Sequence, residues 1–124
     1  MKKIFLVVLL FIYFSSWVNA NSNFYYWNCT WYVSKQLKVT WTWNAKDWLN
    51  NARNKWKETW NIPQKKSIIV FWTWYNEKYW HVAIVESRKD DIIIVSEMNY
   101  KKLNEITYRK INIYDNSIVW YIYN

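Results

Sequence analysis

The sequence predicts an α+β domain, with two helices preceding a mostly antiparallel sheet, and three observations carry that prediction. Apolar residues recur at helical spacing only before Pro63. From Ser67 onward the chain turns to runs rich in β-branched and aromatic side chains, which strands require. The connections between those runs are short and polar, as in Ser87-Arg88-Lys89-Asp90-Asp91, and such connections join antiparallel neighbours. Helices segregated from strands give the α+β class.

Composition narrows the reading further. With 52% hydrophobic and 21% charged residues the chain can bury a core, so disorder is excluded. Its 124 residues allow one domain. Glycine is absent, whereas usage of about 7% would give roughly nine. Collagen-like and glycine-linker chains are therefore excluded, and so is a glycine-rich phosphate loop. The 12 tryptophans are an equally unusual excess.

The N-terminus has the layout of a secretory signal. Lys2 and Lys3 precede an apolar run of 11 residues, Ile4–Phe14, and then Ser15-Ser16-Trp17-Val18-Asn19-Ala20. A membrane span needs about 20 apolar residues, so this run is too short to be one. Cleavage is expected after Ala20, leaving 21–124 as the mature domain with no stable membrane span. Losing Lys2 and Lys3 lowers the formal charge from +8 to +6. A basic, aromatic chain suits nucleic acid by its composition. Export argues against that partner and favours an anionic cell envelope, although charge alone does not separate envelope attraction from simple solubility.

The mature chain shows no repeat or long linker. Asn28 is a candidate cap for a short helix over Thr30–Leu37. Asn44 caps a second helix, with Asp47 three residues on. Ala45, Trp48, Leu49, Ala52 and Trp56 follow at helical spacing. Pro63 bars any continuation. Strands are expected over Ser67–Trp72, His81–Ser87, Ile92–Asn99, Glu105–Tyr114 and Ser117–Tyr123.

The hairpin around Lys89 brings chemistry together. With 87–91 as its loop, Glu86 faces Ile92 and His81 faces Glu97. Directly opposed residues share a face, with Cβ atoms about 4.5–5.5 Å apart. Asn99, two residues beyond Glu97, points the same way. That face reads His81, Ala83, Val85, Ile93, Val95, Glu97 and Asn99, apolar near the loop and polar at the far end. A helix is needed to cover it, and the one beginning at Cys29 is available. The only cysteine would then meet the only histidine. A thiolate is favoured at a helix N-terminus beside an imidazolium, and Glu97 accepting from one ring nitrogen would aim the other at sulfur. Backbone N–H groups at the same helix start suit an oxyanion. Other readings stand beside this one. A lone thiol in an exported protein is often a buried small hydrophobe, and a lone strand histidine is often a structural hydrogen-bonder. One His and one Cys, without a paired-ligand motif, do not make a zinc site.

Four segments carry a family resemblance: Asn28-Cys29-Thr30-Trp31-Tyr32-Val33, Asn44-Ala45-Lys46-Asp47-Trp48, His81-Val82-Ala83-Ile84-Val85-Glu86 and Ser96-Glu97-Met98-Asn99-Tyr100. In this order they resemble the CHAP family, the cysteine, histidine-dependent amidohydrolases/peptidases of bacteria and phages, and are similar to staphylococcal secretory-antigen proteins. The resemblance implies a papain-like (NlpC-type) fold and cleavage of peptidoglycan amide bonds. It implies Cys29 as nucleophile, His81 as base, and Glu97 and Asn99 as supporting polar residues, with neither metal nor organic cofactor. A monomer acting on the cell wall is expected, secreted or in the cell envelope, as an N-acetylmuramoyl-L-alanine amidase or a peptidoglycan endopeptidase.

Departures from the family fall on tryptophan. Trp27, Trp43, Trp80 and Trp120 occupy slots where the family commonly has glycine, whereas Trp31 and Trp48 stand where it favours tryptophan. Lys66 also replaces a common glycine. Most of these tryptophans are expected to be glycine in the cell. Some bacteria read a nominal stop codon as glycine, and conceptual translation under a code that assigns it to tryptophan produces this exchange. Thr73-Trp74-Tyr75 and Lys55-Trp56-Lys57 would then hold ordinary loop and C-cap glycines. If the indoles are literal, Trp27 and Trp80 flank the catalytic pair, and the alternative is an envelope-binding module that uses exposed aromatics and cuts poorly.

Overall fold

The computed structural model describes residues 28–41, 44–72, 80–102 and 104–124. The expected signal over 1–20 and Trp27, Trp43 and Trp74 lie outside them. Among the described residues, helices α1 (Cys29–Leu37) and α2 (Ala45–Asn54) precede six strands. These are β1 (Glu58–Trp60), β2 (Ile68–Phe71), β3 (His81–Lys89), β4 (Ile92–Met98), β5 (Ile106–Asn112) and β6 (Ile118–Tyr123). They form one sheet in the order β1-β6-β2-β3-β4-β5, with every pairing antiparallel. The α+β class holds.

Local chemistry explains the helix ends. The Asn28 carboxamide accepts from the Trp31 N–H at 2.9 Å, satisfying a donor that the first turn leaves open. Lys38 closes α1 in the left-handed region at φ 52°. Asn44 begins α2 without a side-chain cap bond, so its capping is weaker than the sequence suggests. Ala45, Trp48 and Ala52 form the buried stripe of α2, and Trp48 meets Trp41 edge-on at 5.7 Å. Trp56 does not extend that stripe. It follows the C-cap at φ 60°, is 95% exposed, and occupies the left-handed position that glycine usually fills.

Two cores sandwich the sheet. Ile68, Val70, Val82, Ile84, Met98 and Ile122 face the helices and pack with Cys29, Tyr32, Val33 and Trp48. Ile69, Phe71, Ala83, Val85, Ile93, Val95, Ile111 and Tyr121 form a second core on the opposite face. The expectation that the Cys29 helix covers the His81 face is therefore corrected. Helix α1 packs on the other face of β3 and β4. Burial of β2 on both sides explains why Ile68-Ile69-Val70-Phe71 is an unbroken apolar run. β1, only three residues long and partly exposed, was not expected.

The β3–β4 hairpin also differs from expectation. Its turn is the two-residue Asp90-Asp91, with Asp90 at φ 54°, and Lys89 rather than Glu86 opposes Ile92. Glu86 is then an extra residue between the pairs Val85↔Val95 and Ser87↔Ile94. Without this bulge the turn register would oppose Met98 to Ala83 and send Glu97 to the helix face. With it, the register resumes at Ile84↔Ser96, and Glu97 returns to the face of His81. Continuing one step sets Glu97 across from Ala83, so it meets His81 diagonally rather than head-on. The bulged Glu86 accepts from Lys66 Nζ and Ser96 Oγ, each at 2.8 Å, while the Tyr32 hydroxyl donates to Ser96 at 2.8 Å. This chain ties α1 to both strands.

Candidate active site

Cys29 is the first residue of α1, where the helix dipole and open N–H groups favour negative charge. The residue is 7% exposed, and its thiol interacts with His81 and Val82 at the start of β3. Burial alone would push the thiol up. The His81 charge, a hydrogen bond with the His81 ring, and the N–H groups of Val82 and Thr30 outweigh burial and hold it below its usual value.

His81 begins β3 with only 1% of its surface exposed. Trp80 before it has φ 59°, again the left-handed region that favours glycine, and packs against the core containing Cys29. His81 Nε2 lies 2.8 Å from Glu97 Oε1. With Nε2 committed there, Nδ1 is the ring nitrogen left for the interaction with Cys29. Burial opposes the imidazolium, but the Cys29 charge, its hydrogen bond and the Glu97 carboxylate together raise the ring to about 9. Phe71 stacks on the imidazole with centroids 5.7 Å apart and planes 30° apart, fixing its tilt.

Glu97 is fully buried on β4. Burial would neutralise it, yet hydrogen bonds from His81 and Arg109 keep its carboxyl below the usual range. Arg109 holds it with two bonds, Nε to Oε2 at 2.8 Å and Nη2 to Oε1 at 3.0 Å. Arg109 is an addition to the residues that the sequence points to. The signal was the β4–β5 register, in which Val95 opposes Arg109 and Glu97 opposes Thr107, making Arg109 the diagonal neighbour of Glu97.

Asn99 follows β4 at φ 64° and is buried. Its carboxamide oxygen accepts from the Asn104 N–H at 2.6 Å, and its own N–H donates to the Glu105 carbonyl at 3.2 Å. These bonds shape the turn leaving the site. Cys29, His81 and Glu97 therefore form a connected chain, and Asn99 stands at the end of the strand that carries Glu97. No group of three or more His, Cys, Asp or Glu side chains suited to a metal occurs among the described residues.

A thiolate–imidazolium pair at a helix start, aligned by a buried carboxylate, can attack a carbonyl carbon and return a proton to its leaving group. Known proteins resemble this chain in sequence and fold. An N-acetylmuramoyl-L-alanine amidase domain-containing protein of Staphylococcus aureus is 33% identical over 94 residues, 68% of this chain and 15% of that protein. The crystal structure of an N-acetylmuramoyl-L-alanine amidase from Staphylococcus aureus matches with TM-score 0.67 and 30% identity, over 78% of this chain and 30% of that one. The structure of Ly7917 matches in fold alone, with TM-score 0.53 and 22% identity over 64% of this chain and 36% of that one. This chain thus spans a minor part of each relative. The CHAP domain matches residues 20–99, well over half the sequence. The chain belongs to the CHAP domain family.

Proposed function

We propose that this chain is a secreted peptidoglycan hydrolase that cleaves an amide bond through Cys29. The single observation that carries the reading is the meeting of Cys29 at the start of α1 with His81 at the start of β3, which Glu97 on β4 holds. The Cys29 thiolate attacks the amide carbonyl carbon, and the oxyanion that forms is held by N–H groups at the helix start. His81 donates its proton to the leaving amine as the C–N bond breaks, leaving a thioester on Cys29. Neutral His81 then takes a proton from water, whose oxygen attacks the thioester. The acid leaves, and the thiolate–imidazolium pair is restored. Glu97 holds the ring and balances its charge, and Asn99 is a weaker orienter or a substrate contact.

The amidase names of the Staphylococcus aureus relatives favour the bond between N-acetylmuramic acid and L-alanine over a peptide cross-link. Cleavage of the segment 1–20 would deliver the domain to the cell envelope. Among the described residues no helix is long and apolar enough to cross a membrane. Purified wild type should lyse cell-wall preparations, and Cys29→Ala and His81→Ala should not. Equal lysis by both variants would reject the mechanism.

The envelope-binding alternative has its own observation. Trp60 and Ile62 are 57% and 47% exposed and line a groove with Tyr123 at the β1–β6 edge. On that reading the wild type binds walls and releases no fragments.

A further inference from the structure

The two cationic residues of the site share one carboxylate. Glu97 Oε1 lies 2.8 Å from His81 Nε2 and 3.0 Å from Arg109 Nη2, while Oε2 is 2.8 Å from Arg109 Nε. An isolated carboxylate at zero exposure would take up a proton or swing toward water. The planar guanidinium fork fixes both oxygens at once, which a lysine ammonium cannot do. It thereby fixes the plane of the carboxylate, and with it the direction in which Oε1 presents a lone pair to the imidazole.

Arg109 is itself held on two sides. Its guanidinium carbon lies 3.9 Å from the centre of the Tyr100 ring and 5.2 Å from that of Phe71. Phe71 is the same ring that stacks on His81. One aromatic ring therefore contacts both cations, and one carboxylate bonds to both. Arg109 remains 24% exposed, on the strand next to β4, so its charge is less costly to hold than that of Glu97. Besides Glu97, the titratable groups acting on it are Tyr100 and Asp115.

We infer that Arg109 is a positioning residue for the thiol chemistry: its bidentate grip keeps Glu97 ionised and aimed at His81, and so sustains the reactive form of Cys29. The inference rests on the Cys29–His81 reading above. Arg109 acts through its two bonds to Glu97, so its loss should act on turnover and thiol reactivity while leaving substrate binding intact.

The test measures the rate of Cys29 alkylation by iodoacetamide from pH 4 to 10, with kcat and KM on wall fragments, for wild type, Arg109→Met and Arg109→Lys. In Arg109→Met the onset of alkylation should move to higher pH by about one unit. Its kcat should fall roughly tenfold, with KM within about twofold. Arg109→Lys, which keeps the charge but loses the fork, should fall between the two. Folding is checked by circular dichroism. If Arg109→Met does not fold, the lysine variant decides: an unchanged onset and kcat overturn the inference. A folded Arg109→Met with wild-type onset and turnover overturns it equally. A wild-type Cys29 that alkylates no faster than an ordinary thiol at neutral pH would instead remove the underlying thiol reading.

Discussion

Replacing Glu97 with glutamine removes a negative charge from the middle of the site while nearly preserving its shape. The carboxamide oxygen can still accept from His81 Nε2, while the amide nitrogen that replaces Oε2 no longer accepts from Arg109 Nε, so the charge and half of the guanidinium grip are lost together. The rise of His81 from its ordinary 6.5 to about 9 corresponds to about 3 kcal/mol of preference for the imidazolium. Cys29 and Glu97 supply that preference against the cost of burial. If Glu97 provides half, its loss costs about 1.5 kcal/mol, or roughly tenfold in the thiolate–imidazolium population. Arg109 is then left without its counter-charge beside His81, which disfavours the imidazolium further. The assay is the pH dependence of Cys29 alkylation, because the thiolate is the species that reacts. In Glu97→Gln the onset of alkylation should move to higher pH, as Cys29 ionises later beside a less stable imidazolium. An unchanged onset with wild-type turnover would refute the electrostatic role assigned to Glu97.

Other outcomes follow from the same geometry. Wild-type activity should be bell-shaped in pH, rising as Cys29 ionises and falling as His81 deprotonates near about 9. The stability that the His81 charge contributes should be full below 6.5 and lost as pH rises through about 9, as thermal melts across that interval can check. Trp56→Gly should raise the melting temperature, because the left-handed φ of 60° penalises any side chain and an indole 95% exposed packs on little. A gain of about 1 kcal/mol, or roughly 4 °C, is expected after glycine's own entropy cost. Tryptophan codons at positions 27, 43 and 80 of the coding DNA, or an intact mass carrying every indole, would sink the reassignment to glycine. Ser96→Ala should cost about 1–3 kcal/mol in urea unfolding by stranding the Tyr32 hydroxyl, with kcat unchanged in the folded fraction.

The sequence made the helix starts and the cluster legible, and it left the wiring obscure. Asn28 reads as a cap because its carboxamide has one short-range use there, and the structure makes that bond. Trp56 fits the apolar spacing of α2, yet spacing cannot tell the last turn of a helix from the left-handed residue beyond it. Residue spacing puts His81 and Glu97 on one face, as the structure does, but through a register that does not occur. The expected five-residue loop is a two-residue turn, and the bulge at Glu86 restores the parity that the shorter turn removes. Neither device has a marker in the sequence, since no glycine identifies the turn and a bulged glutamate looks like any strand residue. The sequence does not tell which face α1 covers, because a sheet buried on both sides offers two apolar faces. Arg109 is not legible in the sequence because its partner depends on the β4–β5 register, which no short connection fixes in advance.

The central claim is that Cys29, paired with His81, opens an amide bond in peptidoglycan. Mass spectrometry of wall fragments after digestion tests it most directly, because each cut bond leaves a new amine that identifies it. Wild type should release fragments with one recurring new amine terminus, the amine of L-alanine if the cut is at the muramoyl amide. The same digestion with Cys29→Ala should release none. Identical fragments from Cys29→Ala, or wild-type binding to walls with no new amine, would contradict the account.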